Sequence, residues 1–430
     1  MSEDLKIGIA GLGTVGAGVV RLLAERAELL VERCGRRLEV VAVSSRDRGR
    51  DRGIDIGAMQ WFDDPGALAV SADVDVVVEL IGGTDGVALD SCRAALAAGK
   101  PVVTANKAMI AHHGASLAEA AEAAGVSLGY EAAVAGGIPI VKALREGLVG
   151  NRVERVYGIL NGTCNYILSA LSVSGEAFGD VLAEAQRLGY AEADPSFDID
   201  GIDAAHKLAI LSALAFGSLP DIDAVYTEGI SHITPLDTTY AAELGYRIKL
   251  LGLATVTDHG LEQRVHPCMV PLTAPIAQVE GVFNAVITEG DFVDRTMFSG
   301  RGAGGGPTAS AVVSDLVDIA RGLRLPTFGV PVADLRSLPA ATMAHHIGAY
   351  YIRLTVVDQP GVMADVTAAL RDAQVSVKAL IQHSHDLGDG ASVVLTTHEN
   401  REDSMLQALA EIAALDTVLE TPCMIRIEQL

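Results

Sequence analysis

The sequence predicts a mixed α/β protein with three parts: a doubly wound parallel sheet, an α+β domain and a C-terminal βαββαβ module. Three observations support this. Short apolar runs alternate with helical segments through the first third of the chain, and a glycine-rich turn joins the first run to the first helix. Residues 349–430 have a strand and helix order of their own. Strands separated by helices of about 10–15 residues are typical of a parallel sheet.

Length and composition limit the class of protein. At 430 residues the chain is long enough for two or three domains. A formal net charge of −23 argues against nucleic acid or an anionic membrane as partner. The five cysteines have no paired spacing, and MSEDLKIGIAGLG lacks the features of a signal peptide. No apolar run approaches the roughly 20 residues of a membrane helix. We therefore expect a cytoplasmic protein with reduced thiols that binds neither nucleic acid nor membrane.

Residues 1–130 are expected to form the nucleotide-binding domain, with strands over LKIGIA, 38–45, 74–83 and 100–107. The motif GLGTVG directly follows the first strand and opens a helix, which is the placement that a dinucleotide requires. Its first glycine permits a tight turn, its second lets the pyrophosphate approach, and its third lets the helix pack on the sheet. The helix N-terminus offers free N–H groups to the phosphates. Cofactor contacts are thus predicted at Gly11, Gly13, Thr14, Val15 and Gly16. A purely structural glycine loop is the alternative.

Further cofactor contacts are predicted where later strands end, because open α/β sheets bind ligands at that edge. Arg46 follows the second strand and favours the 2′-phosphate of NADP over NAD, although Asp47 beside it weakens this preference. The other predicted contacts are Gly82, Gly83, Thr104, Asn106 and Lys107. For Lys107, a solvated loop lysine is the alternative.

Residues 131–304 are expected to form a substrate domain. The segments 131–148 and 153–168 have strand and loop character, and a helix is predicted over 201–217. Residues 301–323 predict a second glycine loop, including Gly304, that opens a second helix. This helix is expected to return to the nucleotide domain, which residues 305–335 would complete. A flexible linker between domains is the alternative.

The stretch YAEADPSFDIDGIDAAHKLAI, residues 190–210, places five carboxylates ahead of one lysine. Asp203 and Lys207 lie one helical turn apart, and the apolar neighbours of Lys207 predict that it is at least half buried. A buried lysine needs a carboxylate partner to keep its proton. Beside a nicotinamide, such a lysine could protonate a carbonyl oxygen. The remaining carboxylates would bind the amino group of an amino acid. A structural ion pair and a divalent-metal site are the alternatives.

Several segments together resemble homoserine dehydrogenases. They are GLGTVG, TANKAMI, EAAVAGGIPI, GILNGTCNYIL, LGYAEADPSFDIDGIDAAHKLAI and GAGGGPTAS, in order between about residue 5 and residue 345. The resemblance implies reversible reduction of L-aspartate 4-semialdehyde to L-homoserine with NADP or NAD as cofactor. The product supplies threonine, methionine and isoleucine. We expect a homodimer or a homotetramer.

The resemblance also implies roles for individual residues. Lys207 matches the proton donor to the aldehyde oxygen, and Lys107 matches a second active-site lysine. The residues matching the substrate pocket are Glu192, Asp198, Asp203, Gly162, Thr163 and Tyr190. Those matching a loop that holds a structural monovalent cation such as Na+ are Glu131, Val134, Gly136 and Ile138. Arg301 departs from the family, which often has proline there, and this puts the shape of the second glycine loop in doubt.

Residues 349–430 are predicted to form a separable domain. Their βαββαβ order and the loop DQPGVM resemble the ACT domain, which implies binding of a small regulatory amino acid, with threonine as the natural candidate. Asp358, Gly361, Val362 and Met363 would contact this effector. A module kept only for assembly is the alternative. His383 and His385 share a strand face, but without a third ligand they do not predict a zinc site.

Two other functions remain open on the sequence. A phosphorylating semialdehyde dehydrogenase would use Cys164 as a thiolate nucleophile, which requires an activating base. A non-catalytic sensor would bind nucleotide and amino acid without turnover. Consumption of NADPH with aspartate semialdehyde distinguishes these functions.

Overall fold

The computed structural model describes residues 3–387 and 390–430, with side chains described outside 383–387. The sequence also predicts a turn at LGDG, residues 387–390; its central residues 388–389 and the side chains of His383 and His385 lie outside the described residues. Among the described helices, none is both long enough and apolar enough to cross a membrane.

The N-terminal domain is built on a six-stranded parallel sheet, as the sequence predicts. Its strands are β1 (Leu5–Ala10), β2 (Leu38–Ser44), β3 (Gln60–Phe62), β4 (Val76–Glu79), β5 (Val102–Thr104) and β6 (Leu128–Gly129). Its helices are α1 (Thr14–Glu25), α2 (Ala27–Cys34), α3 (Pro65–Val70), α4 (Val87–Ala97) and α5 (Lys107–Ala124). The strand order β3-β2-β1-β4-β5-β6 reverses direction between β1 and β4, so the first glycine loop lies at the switch point, where such sheets bind ligands.

The middle of the chain packs helices against a large mixed sheet. The strands are β7 (Val153–Ile159), β8 (Tyr226–Thr227), β9 (Tyr246–Thr257), β10 (Gly260–Pro271), β11 (Phe283–Gly290) and β12 (Asp294–Arg301). The helices are α6 (Ile140–Lys142), α7 (Gly162–Ser174), α8 (Phe178–Arg187), α9 (Ser196–Ile199), α10 (Ile202–Phe216) and α11 (Pro235–Glu243). A π-helical turn, Ala143–Gly147, continues α6, and 3₁₀ turns occur at Glu131–Ala133 and Pro275–Gln278.

Two segments were expected to have strand and loop character; the first is largely helical, and the second begins as the expected strand β7 and then becomes helical. Residues 131–148 form short helical turns, and NGTCNYIL opens α7. The side chain of Asn161 accepts a hydrogen bond from the backbone N–H of Cys164, which caps this helix. The clustered glycine and asparagine residues suggested strand and loop, but the capping asparagine starts a helix at Gly162.

The helix after the second glycine loop, α12 (Gly305–Ala320), packs on the nucleotide domain. Its buried residues Ala309, Val312 and Leu316 share one apolar cluster with Ile7 of β1 and Val19 of α1. The helix therefore returns to the nucleotide domain as expected, and the alternative of a flexible linker is wrong. Short 3₁₀ turns at Val332–Asp334 and Met343–His345 then lead to the C-terminal module.

The C-terminal module has the predicted βαββαβ order. Its elements are β13 (Ile347–Val357), α13 (Val362–Asp372), β14 (Val377–Leu387), β15 (Gly390–Thr397), the short β16 (Asn400–Arg401), α14 (Glu402–Ala413) and β17 (Cys423–Ile427). Strand β17 pairs with β13 on one side and runs parallel to β10 on the other, with Cys268 opposite Arg426 and Met269 opposite Ile427. The module thus continues the sheet of the substrate domain. Residues 349–430 therefore share a sheet with the preceding domain, and the expectation that they are separable stays a prediction.

Candidate active site

All of the predicted catalytic and substrate-binding residues line one cleft of about 560 Å³ between the nucleotide domain and the substrate domain. The predicted residues that line it are Val15, Lys107, Gly136, Gly162, Thr163, Tyr190, Glu192, Asp198, Asp203, Lys207 and Gly304. The acidic segment and the two glycine loops, which are far apart in sequence, therefore face the same space.

Two lysines share one buried carboxylate in this cleft. Lys207 Nζ lies 2.7 Å from Asp203 Oδ2, and Lys107 Nζ lies 2.9 Å from Asp203 Oδ1. Lys207 also donates to the carbonyl oxygen of Leu160 at 2.7 Å. The side chain of Lys207 is 10% exposed and that of Lys107 is 34% exposed, so Lys107 is the more accessible of the two.

Helix α10 sets this geometry. Gly201 precedes it in the left-handed region at φ 85°, Asp203 lies in its first turn, and Lys207 follows one turn later. Burial alone would raise the pKa of Asp203, but the ammonium groups of Lys207 and Lys107 outweigh burial and hold the pKa below its usual range. For Lys107, burial opposes the charge, while Asp203 and the nearby carboxylates raise the pKa. The cluster is therefore a stable arrangement of charged groups.

Asn161 belongs to the site, although it was not among the predicted site residues. Its amide nitrogen donates to Asp198 Oδ1 at 2.7 Å and to Asp203 Oδ2 at 2.8 Å. The same side chain caps α7, so one residue fixes the helix and aligns both carboxylates. Asn284 from β11 lines the cleft too, and its amide donates to the Leu160 carbonyl that also binds Lys207.

Cys164 does not have the environment of a nucleophile. Its thiol is buried and donates to the backbone carbonyl of Asp198. Burial, together with Asp198 and Asp203, raises its pKa well above the usual value for a thiol. A thiolate is the reactive form of cysteine, so this environment argues against the phosphorylating dehydrogenase. All five cysteines of the chain are free thiols.

The outer part of the cleft is exposed and acidic. Glu192 is exposed, and Asp198 is partly buried. The hydroxyl of Thr163 donates to the carbonyl oxygen of Tyr190, which connects the start of α7 to the acidic segment. Phe197 covers Lys107, with the ammonium 5.5 Å from the ring centroid. A small cationic group entering the cleft would meet these carboxylates first.

The first glycine loop fits a dinucleotide phosphate. Gly11 has φ 106°, and a Cβ there would lie 2.4 Å from the carbonyl oxygen of Leu80. At Gly16 a Cβ would lie 2.1 Å from the carbonyl oxygen of Gly11. By contrast, a Cβ at Gly13 would meet no atom of the described residues within 4 Å. The loop is thus closely packed beneath and open above, where the phosphates would approach.

The second glycine loop lies against the first. A Cβ at Gly18 would come within 2.7 Å of the Gly305 carbonyl oxygen, so glycine permits α1 and α12 to approach closely. Gly304, at φ 115°, precedes α12 and lines the cleft. Arg301, the departure from the family pattern, ends β12, and its carbonyl oxygen accepts from Gly137 N–H at 3.0 Å. Backbone contacts therefore hold this loop without proline.

Strand-end residues on the nucleotide side form a network centred on Glu79, which the sequence analysis did not single out. The Glu79 carboxylate is fully buried and accepts from the N–H groups of Ile81 and Gly82 and from the Thr104 hydroxyl at 2.6 Å. Asn106 donates to the carbonyl oxygen of Gly83 at 2.7 Å. The predicted residues Gly82, Gly83, Thr104 and Asn106 are thus tied together at one sheet edge.

Arg46 is exposed at the end of β2, and Arg52 rather than Arg46 reaches the first glycine loop. The Arg52 guanidinium donates to the carbonyl oxygen of Leu12 at 3.0 Å and to the Ser45 hydroxyl at 3.2 Å. A hollow of about 530 Å³ beside Gly13 and Thr14 has Arg52 on its wall. Arg52 therefore lies closer to the first glycine loop than the residue singled out in the sequence.

The segment predicted to hold a cation is buried and carries excess negative charge. The Glu131 carboxylate accepts from the N–H groups of Val141 and Lys142 at 3.0 and 2.8 Å. Burial and the nearby Asp315 raise the pKa of Glu131 to about 7. Gly136 has φ 48°, and a Cβ there would lie 2.4 Å from the Gly302 carbonyl oxygen. The predicted partners Val134 and Ile138 are also buried. Added positive charge would suit this environment.

In the C-terminal module, the predicted effector loop precedes α13. Gly361 has φ 101°, and a Cβ there would meet no atom of the described residues within 4 Å. Asp358 and Gly361 are exposed, Met363 is partly buried, and Val362 is buried. The helix N-terminus at this loop is accessible to a small anion.

Comparison with known proteins places each part of the chain. A family profile described as homoserine dehydrogenase matches residues 139–317, one described as its NAD binding domain matches 11–131, and one described as the ACT domain matches 350–417. A homoserine dehydrogenase of Neisseria gonorrhoeae is 45% identical over 100% of this chain and 99% of its own length. One from Pseudomonas aeruginosa is 46% identical over 100% of both chains.

Solved structures agree with these relatives. The crystal structure of a homoserine dehydrogenase from Thiobacillus denitrificans matches with a TM-score of 0.93 and 46% identity, over 100% of this chain and 99% of that one. A hyperthermophilic archaeal homoserine dehydrogenase in complex with NADPH matches with a TM-score of 0.64 and 27% identity, over 78% of this chain and 100% of that one.

Proposed function

The chain belongs to the homoserine dehydrogenase family, and from this premise we propose that it reversibly reduces L-aspartate 4-semialdehyde to L-homoserine. It is an NAD(P)-dependent oxidoreductase with a nucleotide-binding domain and an ACT domain. The observation that carries the proposal is the pair of lysines on Asp203, in a cleft that also meets both glycine loops.

The acidic side of the cleft is proposed to bind the amino group of the substrate. Glu192 is exposed at the rim, and Asp198 lies deeper, where Asn161 holds one of its oxygens. Charge-assisted hydrogen bonds from an ammonium group to carboxylates are stronger than neutral ones. Gly162, Thr163 and Tyr190 complete the proposed pocket.

Lys207 is proposed as the general acid that protonates the aldehyde oxygen as hydride arrives at its carbon. Two of its three N–H groups donate to Asp203 and Leu160, so the remaining one is available for the substrate. Asp203 binds and orients the ammonium until transfer. Lys107, on the other oxygen of Asp203, is the alternative donor because it is more accessible from the cleft.

The cofactor supplies the hydride, and NADP is proposed as the preferred form. The glycine loop with open space above Gly13 supports a dinucleotide, and the relative solved with NADPH supports the phosphorylated form. Arg46 and Arg52 both lie near the end of β2, where a 2′-phosphate would bind. Arg46→Asp should shift kcat/KM from NADPH toward NADH. An unchanged ratio in Arg46→Asp, with a shifted ratio in Arg52→Ala, would transfer the role to Arg52.

A structural monovalent cation, Na+ or a similar ion, is proposed near Glu131, Val134, Gly136 and Ile138. The support is the raised pKa of Glu131 in a buried site that also contains Asp315. The ion would stabilise the segment that leads into the cleft at Gly136 and would take no part in hydride transfer.

The ACT domain is proposed to bind threonine near Asp358, Gly361, Val362 and Met363 and to reduce activity. The support is the accessible backbone at Gly361, where the carboxylate of the effector could accept hydrogen bonds from backbone N–H groups. Asp358→Asn in the full chain should weaken inhibition by threonine. If threonine inhibits this variant as strongly as the unchanged protein, the effector binds elsewhere.

We further propose that the protein is a cytoplasmic homodimer or homotetramer. Its product would supply the synthesis of threonine, methionine and isoleucine.

The deciding experiment follows NADPH absorbance with purified protein and L-aspartate 4-semialdehyde, with and without phosphate. We expect the protein to consume NADPH without phosphate and to form homoserine as the product. Phosphate-dependent reduction of NADP+ would instead indicate the phosphorylating enzyme. Binding of nucleotide without any turnover would indicate a sensor.

A further inference from the structure

Arg426 on β17 links the C-terminal module to the substrate domain. Its guanidinium is 2% exposed and binds Glu402 of the module, with Nε 3.0 Å from Oε2. On the substrate domain it binds Glu228 Oε2 at 2.8 Å and the Tyr226 hydroxyl at 3.2 Å. Buried arginine with several fixed partners holds their relative positions.

Glu228 belongs to a segment that packs between β10 and α9. Its N–H donates to the carbonyl oxygen of Val265 in β10 at 2.8 Å. Two residues later, the N–H of Ile230 donates to the carbonyl oxygen of Ile199 at 2.9 Å. A Cβ at Gly229 would lie 2.4 Å from that same oxygen, so the two backbones are in direct contact.

Helix α9 carries Asp198 into the cleft. Asp198 Oδ1 accepts from Asn161, and the Asp198 carbonyl oxygen accepts from the Cys164 thiol at 3.1 Å. Ile199, the next residue, is the one that Ile230 binds. An unbroken series of contacts therefore runs from Arg426 through Glu228 and Ile230 to the carboxylate of Asp198.

We propose that Arg426 and Glu228 are positioning residues for substrate binding, which act by fixing α9 and with it Asp198. The proposal rests on the proposed function, in which Asp198 binds the amino group of the semialdehyde. It makes the ACT domain a structural support of the substrate pocket. It also supplies a physical route by which a ligand of that domain would change substrate affinity.

A cluster of possible metal ligands lies next to this chain of contacts, but its geometry does not favour a metal ion. Among the described residues, His266, Cys268 and Glu428 lie close enough to bind one. However, Arg264 donates to Glu428 Oε1 at 2.5 Å, and its Nη1 lies 2.8 Å from His266 Nε2. The Arg264 guanidinium occupies the space between these side chains and supplies the positive charge that a metal ion would bring. The cluster therefore belongs to the ion pairs that join the C-terminal module to the substrate domain.

The test is Glu228→Gln in the full chain, with steady-state kinetics for both substrates. Mutations along such a series of contacts typically change coupling enough to alter an affinity roughly 2- to 30-fold. We expect KM for aspartate semialdehyde to rise within that range while KM for NADPH stays unchanged, because the first glycine loop belongs to another domain. Glu228→Asp, which keeps the charge, should recover part of the loss. Glu420→Gln is the matched control, since it removes an exposed carboxylate 4.0 Å from Arg353 of the module and does not touch residues 226–230.

An unchanged semialdehyde KM in Glu228→Gln would overturn the proposal. A parallel change in both KM values with a lower melting temperature would also overturn it, since it would indicate general loosening. Should Glu228→Gln not fold, Arg426→Lys carries the same test, with the same selective rise expected. If the unchanged protein does not reduce the semialdehyde, the proposed function itself is refuted. That outcome differs from a failure of the positioning proposal, in which the unchanged protein is active and the variant keeps its semialdehyde KM.

Discussion

Two buried clusters of charge in this protein are built on different cations. In the cleft, Lys107 and Lys207 share Asp203. At the junction with the C-terminal module, Arg264 binds Glu262 at 2.8 Å and Glu428 at 2.5 Å. The Lys107 side chain is 34% exposed, whereas that of Arg264 is 6% exposed. The lysine cluster opens to the cleft, and the arginine cluster is enclosed.

The difference separates chemistry from architecture. A lysine ammonium has a pKa that its surroundings can shift, and it can release a proton to a substrate. An arginine guanidinium keeps its charge, and its planar fork suits two carboxylates at once. Burial would lower the pKa of Arg264, but Glu428 and Glu262 raise it above its usual value. The enclosed cluster can hold two parts of a sheet together and has no proton to give.

The largest expected effect concerns Lys207. Lys207→Ala should reduce kcat by about 10²–10⁴, the usual range for loss of a general acid. The protein should remain folded and bind NADPH, as a fluorescence titration would show. Lys207→Arg sharpens the comparison, because it keeps a cation on Asp203 but cannot release the proton. Near-normal turnover in Lys207→Ala would assign the proton donor to Lys107.

Arg264→Met should cost stability. It leaves Glu262 and Glu428 buried without their guanidinium, and breaking a buried ion pair typically lowers the free energy of unfolding by about 3–5 kcal/mol. Urea denaturation would measure this. The exposed pair of Arg371 and Asp372 provides the control, and Arg371→Met should leave the denaturation midpoint unchanged.

A chain ending near residue 345 extends the same comparison, because it lacks Glu428 and β17. We expect it to be strongly destabilised. A shortened chain as stable as the full one would show that the shared sheet and the arginine cluster are dispensable.

At the rim of the lysine cluster, Glu192→Gln should act on binding. Loss of one charged contact to the substrate ammonium should raise KM for the semialdehyde roughly tenfold or more and change kcat less. Initial-rate kinetics at saturating NADPH would separate the two constants. If neither constant changes, Glu192 is a solvated surface residue.

The smallest expected effect concerns Glu131, which lies in a buried site beside Asp315 and Lys142. Its pKa in the folded protein is about 7 instead of the ordinary 4.5. The stability that this raised pKa contributes is fully present below 4.5 and is lost as the pH rises through 7. A cation needs the ionised carboxylate. Added Na+ should therefore raise the melting temperature more at about pH 8 than at about pH 6. Glu131→Gln should remove this difference, and an equal Na+ effect at both pH values would contradict the site.

Local patterns in the sequence predicted much of this molecule. Two features, the glycine loop after β1 and the burial of Lys207 beside Asp203, could be predicted from residues only a few positions apart. At such short spacings, the periodicity of helices and strands determines which side chains share a face. The βαββαβ order of the C-terminal module is local in the same sense. Such features need no knowledge of which distant segments meet.

Features that depend on distant partners were not predicted. Asn161 meets Asp198 and Asp203 only after α9 and α10 fold back on α7. Arg52 reaches the first glycine loop across a turn whose path has no sequence signature. The pairing of β10 with β17 has no local signal either, because an apolar strand does not specify its neighbour. One local signal was overlooked: Asn161 is a residue type that favours the N-cap of a helix, and it caps α7.

The shared sheet has a consequence for how the chain folds during its synthesis. Strand β17 lies between β10 and β13. Strand β8 pairs with β10 at Arg264 and Val265, but the β10 edge at Cys268 and Met269 stays unpaired until residues 423–427 have left the ribosome. Unpaired strand edges are templates for pairing with other chains. Contacts between residues so far apart in sequence also form slowly. The nascent chain therefore exposes this edge of β10 until the C-terminal module has been synthesised, and pairing with other chains is the hazard in that interval.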